Sequence, residues 1–307
     1  MVVSRDVLVA RGVVSEPLPR FSDVRFADGA HFRIEVPSVE GPEVLRCVLE
    51  AARSAGVVIN RVSQGSGAML LSEAELSEMA RMGADAGLEV SLFVGPREEW
   101  DIGSVSRSHD GPTLAGRLRG VRQVRYAIDD VMRAVECGIR GFLVADSGLL
   151  ELLRSVQMEG GIPDSVVWKV SAVLAPSNPL TFVQLVRLGG CTINVPADVT
   201  LGQLFEMRSV SPTPIDLYVE APDAMGGVVR GHEAADLIAV AAPMYVKFGL
   251  RNSAALYPSG LHLLGDAMTI AKEKVHRAQV ALEWIRQSGM ELVQSEPGAK
   301  DLGVPEP

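Results

Sequence analysis

Two lysines lie in stretches of the sequence that otherwise read as buried β-strands. Lys247 is part of YVKFGLRN (245–252), and Lys169 is part of VVWKVSAVL (166–174). Strands covered on both faces are usually continuous apolar runs, and an unpaired ammonium group buried there costs several kcal/mol. Each lysine therefore either pairs with a carboxylate for structural reasons or lines a cavity where chemistry takes place.

Three kinds of chemistry could combine these lysines with acidic residues of the chain. A lysine within a strand can form a Schiff base with a carbonyl substrate if burial or a cationic neighbour lowers its pKa. Carboxylates could instead hold Mg²⁺ or Mn²⁺, with a lysine as the proton shuttle, and the candidates are Glu35, Asp146, Glu220 and Asp223. Glu220 and a lysine could also act as a plain acid and base. The residue types leave these mechanisms open.

The elements that must position these residues alternate as a strand followed by an amphipathic helix, eight times along the chain. The predicted strands are short, rich in β-branched or aromatic residues, and polar at their C-terminal ends. They cover residues 32–38, 57–64, 88–95, 141–148, 166–174, 191–198, 215–222 and 244–252.

Eight such units are the number that closes a parallel barrel, so the sequence predicts a single-domain TIM (β/α)8 barrel. The barrel is expected over residues 31–290, after an N-terminal extension or short hairpin over 1–30 and before a flexible, Pro- and Gly-rich tail over 291–307. An open doubly wound sheet fits less well, because no GxGxxG motif follows the first strand.

The connection after the third strand is a long insertion over residues 97–125, rich in Gly, Ser and Arg. Strand-to-helix loops lie on the active face of such a barrel. The insertion is therefore a candidate lid, with an oligomer contact or a solvated loop as the alternatives.

Polar residues stand at the C-terminal ends of all eight predicted strands, where the strands of a barrel converge on one cavity. Any single pair could be a structural ion pair, but the pattern as a whole favours a ligand pocket. The predicted catalytic residues are Glu35, Lys169, Glu220 and Lys247. The predicted substrate-binding residues are Arg61, Ser63, Gln64, Arg97, Asn194, Arg251 and Asn252, and the predicted metal ligands are Glu35, Asp146 and Glu220.

Lys247 has two neighbouring strands that carry acidic residues, because strand eight closes the barrel between strands seven and one. We expect Glu220 and Glu35 to meet its charge, and Arg251 to meet an anionic group of the substrate at the rim. The nearby segment SQGSG (63–67) could bind an anion through backbone N–H groups or could be a simple turn.

Composition and charge disfavour several classes of function. The 307 residues include 29 basic and 38 acidic side chains, and the net charge of −9 disfavours a general role in binding nucleic acid or anionic membranes. No apolar run approaches the ~20 residues of a membrane span. The cysteines form no CxxC pair, and no two histidines have the spacing of a zinc-binding helix. We expect a cytoplasmic homo-oligomer without an iron–sulfur cluster, whose cofactor is Mg²⁺ or Mn²⁺ if the carboxylates bind metal.

Strand eight and the residues after it resemble a segment of the collagenase-like peptidase family, barrel proteins classed as peptidases of unknown catalytic type. The family's K-I-E-G-R segment is similar to YVKFGLRNSAALYPSG, with Lys247 and Arg251 at its Lys and Arg. Its opening unit is similar to RIEVPSVEGPEVLRCVLEAARSAG, its fourth unit to GFLVADSGLLELL and its sixth unit to RLGGCTINVPADVTLGQLFEM, so the resemblance covers about residues 31–285.

This chain departs from the family at the residues that carry its chemistry. The family's histidine–glycine–cysteine motif is replaced by YVEAPDAMGG, and Gly249 replaces the Glu of K-I-E-G-R. The cysteines that hold an iron–sulfur cluster in the hydroxylating branches are also missing. The resemblance therefore implies the barrel and the location of the pocket, but neither proteolysis nor hydroxylation.

The sequence predicts an enzyme that acts on a small anionic metabolite as a lyase, an aldolase or an isomerase. The reason is the supply of cationic side chains around the predicted pocket, beside carboxylates that can move protons. One alternative is a metal-assisted peptidase or amidohydrolase of the collagenase-like type. The other is a barrel that binds a ligand or partner without catalysis.

Overall fold

The computed structural model describes residues 8–13, 17–101, 105–109 and 116–307. Its eight parallel strands pair in chain order and close into a barrel, because β8 pairs with both β7 and β1. The strands are β1 (Phe32–Pro37), β2 (Arg61–Gln64), β3 (Glu89–Phe93), β4 (Gly141–Val144), β5 (Val167–Val170), β6 (Thr192–Asn194), β7 (Ile215–Glu220) and β8 (Met244–Phe248). The predicted (β/α)8 barrel is confirmed.

An α-helix follows each strand and packs its apolar side against the outside of the barrel. The helices are α1 (Pro42–Ala55), α2 (Glu73–Ala86), α3 (Gly120–Glu136), α4 (Ser147–Met158), α5 (Pro179–Arg187), α6 (Leu201–Val210), α7 (Ala234–Ala241) and α8 (Leu264–Gln287). Capping boxes begin two of them, formed by Ser72 with Glu75 and by Thr200 with Gln203. In the described ranges, no helix has the length and apolar character needed to cross a membrane.

The two faces of the barrel strands differ in character. Side chains that point outward form the apolar core beneath the helices, and among them Val36, Trp168 and Leu217 are completely buried. The alternate, inward positions are largely polar. They include Arg33, Glu35, Arg61, Glu89, Lys169, Asp216 and Lys247, none more than 2% exposed. The interior is therefore an ionic network in place of the apolar layers that usually fill such a barrel.

The segment before β1 covers the lower end of the barrel, which is the end where the strands begin. Residues 17–31 contain no strand. Instead, a turn brings the Phe26 N–H within 2.9 Å of the Ala30 carbonyl oxygen, and the Phe26 ring packs edge-on against Tyr245. The predicted hairpin is thus wrong for these residues. Its other half falls partly on residues 1–7 and 14–16, outside the described residues.

The C-terminal residues also pack across the lower end. The Ser295 N–H donates to the Phe32 carbonyl at 3.0 Å, and the Gly303 N–H donates to the Glu89 carboxylate at 3.2 Å. Composition predicted a flexible tail over 291–307, but these donors satisfy buried acceptors of the barrel. The segment is therefore part of the barrel's lower closure.

The insertion after β3 ends earlier than predicted. Helix α3 begins at Gly120, so the insertion ends before residue 120 and not at residue 125. Residues 102–104 and 110–115 of this segment lie outside the described residues. A lid function for the insertion stays a prediction.

Candidate active site

Glu35 is the centre of the ionic network inside the barrel. Its position on β1 pairs in register with Arg61 on β2 and with Lys247 on β8. One carboxylate oxygen, Oε1, accepts hydrogen bonds from Ser63 Oγ at 2.6 Å and from Lys169 Nζ, and the other, Oε2, accepts from Arg61 Nε at 2.8 Å. Burial alone would raise the pKa of this carboxyl, but the surrounding cations hold that pKa well below its usual range. Glu35 is therefore ionised.

Arg61 joins Glu35 to a second carboxylate, Asp216 on β7. The guanidinium Nη2 atom lies 2.6 Å from Glu35 Oε2 and 2.7 Å from Asp216 Oδ2, and Nη1 lies 3.5 Å from Glu89 Oε1. Its central carbon also lies 3.4 Å from the centroid of the Tyr245 ring. Arg61 was predicted to bind substrate, but the structure places it completely buried as the internal counter-ion of three carboxylates.

Asp216 was missed in the sequence, although a signal was present. Strand IDLYVE alternates, with Asp216 and Tyr218 on one face and Leu217 and Val219 on the other. Asp216 is the second residue of the strand and lies away from the polar C-terminal end that marks the predicted site. Alternation alone would have placed Asp216 inside the barrel.

Lys169 contacts Glu35 directly and is completely buried. Burial, followed by the positive charges of Arg61 and Lys247, lowers the pKa of its amine to about 7, against the opposing effect of Glu35. A substantial fraction of this amine is therefore neutral at physiological pH, which is what nucleophilic attack by lysine requires.

Lys247 lies beside Lys169 and shares the same carboxylate oxygen. Its Nζ atom donates to Asn194 Oδ1 and lies 3.6 Å from Glu35 Oε1 and 4.0 Å from the centroid of the Tyr218 ring. Burial lowers the pKa of this lysine too. The structure thus brings together six of the predicted site residues, which are Glu35, Arg61, Ser63, Lys169, Asn194 and Lys247.

The upper end of the barrel is the end at which the strands finish. Two inward side chains near that end are only half-buried. Leu143 pairs in register with Lys169, and Tyr218 pairs in register with Lys247. The neighbours of both lysines are therefore partly exposed, although the lysines themselves are buried.

The prediction that Glu220 pairs with Lys247 is wrong. The register of β7 against β8 shifts between Tyr218 and Glu220, so that Tyr218 takes the place opposite Lys247. The Glu220 carboxylate accepts from the Arg251 backbone N–H at 3.0 Å and lies 3.5 Å from Arg277 Nε. It anchors the loop after β8 and does not join the lysine cluster.

The predicted metal ligands are not brought together. Among the described residues, no group of three or more His, Cys, Asp or Glu side chains could hold a metal ion. Asp146 caps α4 by accepting from the Leu149 N–H at 3.0 Å, and it also accepts from the Leu118 N–H at 3.1 Å. Glu35 and Glu220 are held by the partners described above. The metal set Glu35, Asp146 and Glu220 is therefore wrong.

The SQGSG segment binds an anion of the chain itself. The backbone N–H groups of Gly65 and Ser66 both donate to the Glu40 carboxylate, at 2.9 and 3.1 Å. Gln64 forms two hydrogen bonds with the backbone of Gly67, each 3.0 Å long. The predicted substrate-binding Gln64 therefore shapes this loop, and the loop's donors are already used.

Arg97 and the pair Arg251 and Asn252 lie at the upper end, outside the cluster. The Arg97 guanidinium lies 3.8 Å from the centroid of the Phe93 ring and donates to the Gly65 carbonyl oxygen, and burial lowers its pKa to about 10. Arg251 and Asn252 are exposed, and Arg251 Nε lies 3.5 Å from Asp223. These are rim residues.

Fold and site together define a closed (β/α)8 barrel whose interior holds two lysines, an arginine and carboxylates in one hydrogen-bonded network. No family model and no curated protein matches the sequence. Among solved structures, the chain is similar to a putative copper homeostasis protein CutC from Streptococcus agalactiae, at 13% identity and a TM-score of 0.48 over 71% of this chain and 99% of that one.

Two other solved structures show the same level of likeness. A putative fructose-1,6-bisphosphate aldolase from Coccidioides immitis is 10% identical, with a TM-score of 0.48 over 84% of this chain and 94% of that one. A U32 peptidase is 16% identical, with a TM-score of 0.42 over 79% of this chain and 99% of that one. The likeness concerns the barrel and does not identify the reaction. The resemblance to the collagenase-like peptidases likewise extends to the fold, without support from a family model.

Proposed function

We propose that the protein is an enzyme that forms a Schiff base between Lys169 and a small anionic carbonyl compound, and that it works as a lyase, an aldolase or an isomerase on that compound. One observation carries the proposal. Lys169 and Lys247 meet at a single carboxylate oxygen inside the barrel, and the pKa of Lys169 is lowered to about 7. A cationic neighbour and burial together are a known way to activate a lysine nucleophile.

The choice of lysine over arginine supports this role. Of the 29 basic residues in the sequence, five are lysines, and three of these five are buried: Lys169, Lys247 and Lys274. Arginine pairs with carboxylates at least as well as lysine does, but it does not lose its proton in proteins. The interior position of Lys169 therefore fits a function that needs a neutral amine better than it fits charge pairing alone.

The two lysines take different roles in the proposed step. Lys169, whose pKa is lowered to about 7, attacks the carbonyl carbon and forms the new C–N bond. In this proposal Lys247, which is held by Asn194 and lies 3.6 Å from Glu35 Oε1, is the protonated lysine and donates a proton to the carbonyl oxygen. That oxygen takes a second proton from the attacking amine and leaves as water, which gives a positively charged iminium group.

The iminium group then accepts the electron pair of an adjacent C–C or C–H bond, which is the step shared by aldolases, lyases and isomerases of this type. The ionised Glu35 carboxylate, in direct contact with Lys169, offsets the positive charge of the iminium. Arg97 and Arg251 at the upper rim supply the positive charge that favours an anionic substrate.

Reductive trapping tests this proposal. The protein is incubated with pyruvate or with dihydroxyacetone phosphate, treated with sodium borohydride, and mapped by peptide mass spectrometry. We expect a reduced adduct on Lys169, no such adduct in Lys169→Met, and an unchanged adduct in Lys272→Met, which removes an exposed lysine of α8. The small number of lysines makes the assignment unambiguous.

The outcomes separate the candidate roles. An adduct on Lys247 alone would reverse the roles of the two lysines. Failure of both probes to label either interior lysine would contradict Schiff-base chemistry and leave the network as a structural feature of a binding barrel. The hydrolase alternative has no observation in its favour, because the carboxylates that it needs are separated in the described structure.

A further inference from the structure

A cavity of about 750 Å³ opens at the lower end of the barrel. It lies where β5, β6 and β8 begin, and it reaches the inward residues Thr192 and Tyr245. Three arginines line it, which are Arg25, Arg33 and Arg154. The lower face of a (β/α)8 barrel normally serves stability and is packed with side chains, so an open cavity lined by cations is unusual there.

Arg33 is the most deeply placed of the three arginines and is 1% exposed. Its three hydrogen bonds all go to neutral acceptors: Ser295 Oγ at 3.0 Å, Tyr245 Oη at 2.9 Å and the Lys300 carbonyl oxygen at 2.8 Å. A guanidinium has five N–H donors, so these acceptors leave two of them available. A buried cation without a counter-ion is costly, and a bound anion would remove that cost.

The other two arginines also donate hydrogen bonds to neutral acceptors. Arg25 donates to the carbonyl oxygens of Ser22 and Val24, and Arg154 donates to Gln157 Oε1. Within the described ranges, no carboxylate lies within ion-pair distance of Arg25, Arg33 or Arg154. This contrasts with Arg61 at the centre of the barrel, which contacts three carboxylates.

Two carboxylates, Asp164 and Asp301, also line the cavity. They reduce its positive charge but do not cancel it, since three arginines face two aspartates. The lining therefore favours a ligand whose anionic group is compact enough to reach Arg33 without contact with the aspartates.

We propose that this cavity is a second binding site, which takes a small molecule through a carboxylate or phosphate group. The anionic oxygens would accept from Arg33 at the base of the cavity and from Arg154 and Arg25 at its mouth, because planar guanidinium groups bind both kinds of oxyanion through paired hydrogen bonds. The site is separate from the Schiff-base lysines and does not rest on the proposed function.

Isothermal titration at constant ionic strength tests the site, with inorganic phosphate and oxalate as probes for the two kinds of oxyanion. We expect saturable binding of at least one probe with one site per chain. Arg154→Gln should weaken this binding about five- to tenfold, since it removes one charged hydrogen-bonding partner. The matched control is Arg187→Gln, because Arg187 is exposed at the end of α5, close to the cavity but not part of its lining. It should bind as the parent does.

A substitution that removes a negative charge from the cavity controls for a general effect of charge removal. Asp164→Asn should tighten binding, because it removes a negative charge from the cavity wall. Arg33→Gln should abolish binding if the variant folds. If it does not fold, the Arg154→Gln variant still tests the site. Equal affinity in Arg154→Gln and Arg187→Gln, or no saturable binding of either probe by the parent protein, would overturn the proposal. The assay involves no carbonyl chemistry, so its outcome is independent of the trapping experiment.

Discussion

The upper and lower parts of one barrel interior use charge in opposite ways. Toward the upper end, Lys169, Lys247 and Arg61 are all within 4 Å of Glu35, and Asp216 adds a second carboxylate. At the lower end, Arg33 is as deeply buried as these residues but has only neutral partners. The same eight strands therefore hold a charge-matched network and an unmatched cation a short distance apart.

The difference shows what each arrangement can do. A matched network fixes protonation states, because each charge sets the pKa of its neighbours, and this is the condition for acid, base or nucleophilic chemistry. An unmatched buried cation has no such partner to tune, but it gains most from a ligand that supplies the missing charge. The comparison predicts that substitutions in the network will damage stability more than substitutions at the lower end.

The largest effect is expected for Glu35→Gln. This change leaves Lys169, Lys247 and Arg61 around a neutral amide, and removing one partner from a buried network costs about 3–5 kcal/mol of unfolding free energy. Urea unfolding monitored by circular dichroism measures the loss. The control is Glu43→Gln, which removes an exposed ion pair with Arg46 and should leave stability unchanged. Similar small losses in both variants would show that Glu35 does not organise the interior.

Substitution of the two interior lysines should lower the free energy of unfolding by different amounts. Lys169→Met removes the direct partner of Glu35 and should cost about 2–3 kcal/mol, part of the cost of breaking a buried pair. Lys247→Met keeps the side-chain volume and removes a bond to a neutral amide, so it should cost about 1 kcal/mol. Lys247→Met should still slow trapping of the carbonyl probes on Lys169, because the proton donor is lost. A Lys247→Met protein that unfolds far more easily yet traps normally would make Lys247 a scaffold residue.

A third buried lysine provides a comparison outside the barrel interior. Lys274 on α8 donates to the Pro37 carbonyl oxygen at 2.8 Å, and burial lowers its pKa from 10.5 to about 7. Between these two values the unfolded chain binds more protons than the folded chain, so the free energy of unfolding rises with pH across that window. Below about pH 7 both states are protonated, and the cost of burying the charge is fully present.

Lys274→Met should therefore flatten the pH dependence of stability between about pH 7 and 10, and it should gain most over the parent below pH 7. Unfolding curves recorded across this range provide the measurement. Lys272→Met, at an exposed position of the same helix, should follow the parent curve. A parallel shift of the Lys274→Met curve at all pH values would show that the lysine does not titrate in this window.

The smallest effect is expected at the lower end. Ser295→Ala removes the acceptor of Arg33 Nε and should cost about 1 kcal/mol, the usual size of one hydrogen bond. Thermal unfolding can detect this change. Inorganic phosphate should restore part of the loss if the lower cavity binds oxyanions, because a ligand bound by the folded state alone raises its stability. A loss as large as that of Glu35→Gln would remove the distinction between the two ends.

Much of the site follows from the sequence, because strand alternation is a local property. Arg33 and Glu35 are two residues apart on one strand and therefore point to the same face. The same period-two alternation places Lys169 and Lys247 inside the barrel. The count of eight strand–helix units identifies the barrel in the same way. These features need only the period of the pattern and no knowledge of distant contacts.

The sequence-based predictions that are wrong concern features that depend on distant parts of the chain or on local irregularity. Glu220 leaves the cluster because the register shifts within β7, and nothing in IDLYVE marks that shift. Gln64 was predicted to bind substrate but closes its own loop through Gly67. The tail was expected to be flexible because composition does not reveal that Ser295 reaches Arg33 across more than 260 positions.

That last contact has a consequence for the order in which the protein becomes complete. Translation produces Arg33 more than 260 residues before its acceptors at Ser295 and Lys300. Until these acceptors are synthesised, the first strand carries a cation that lacks most of its native hydrogen-bond acceptors. The Glu89 carboxylate likewise lacks the hydrogen bond from the Gly303 N–H. The lower end of the barrel therefore cannot be completed until residues 295–303 have been synthesised, although all eight strands precede them in the chain.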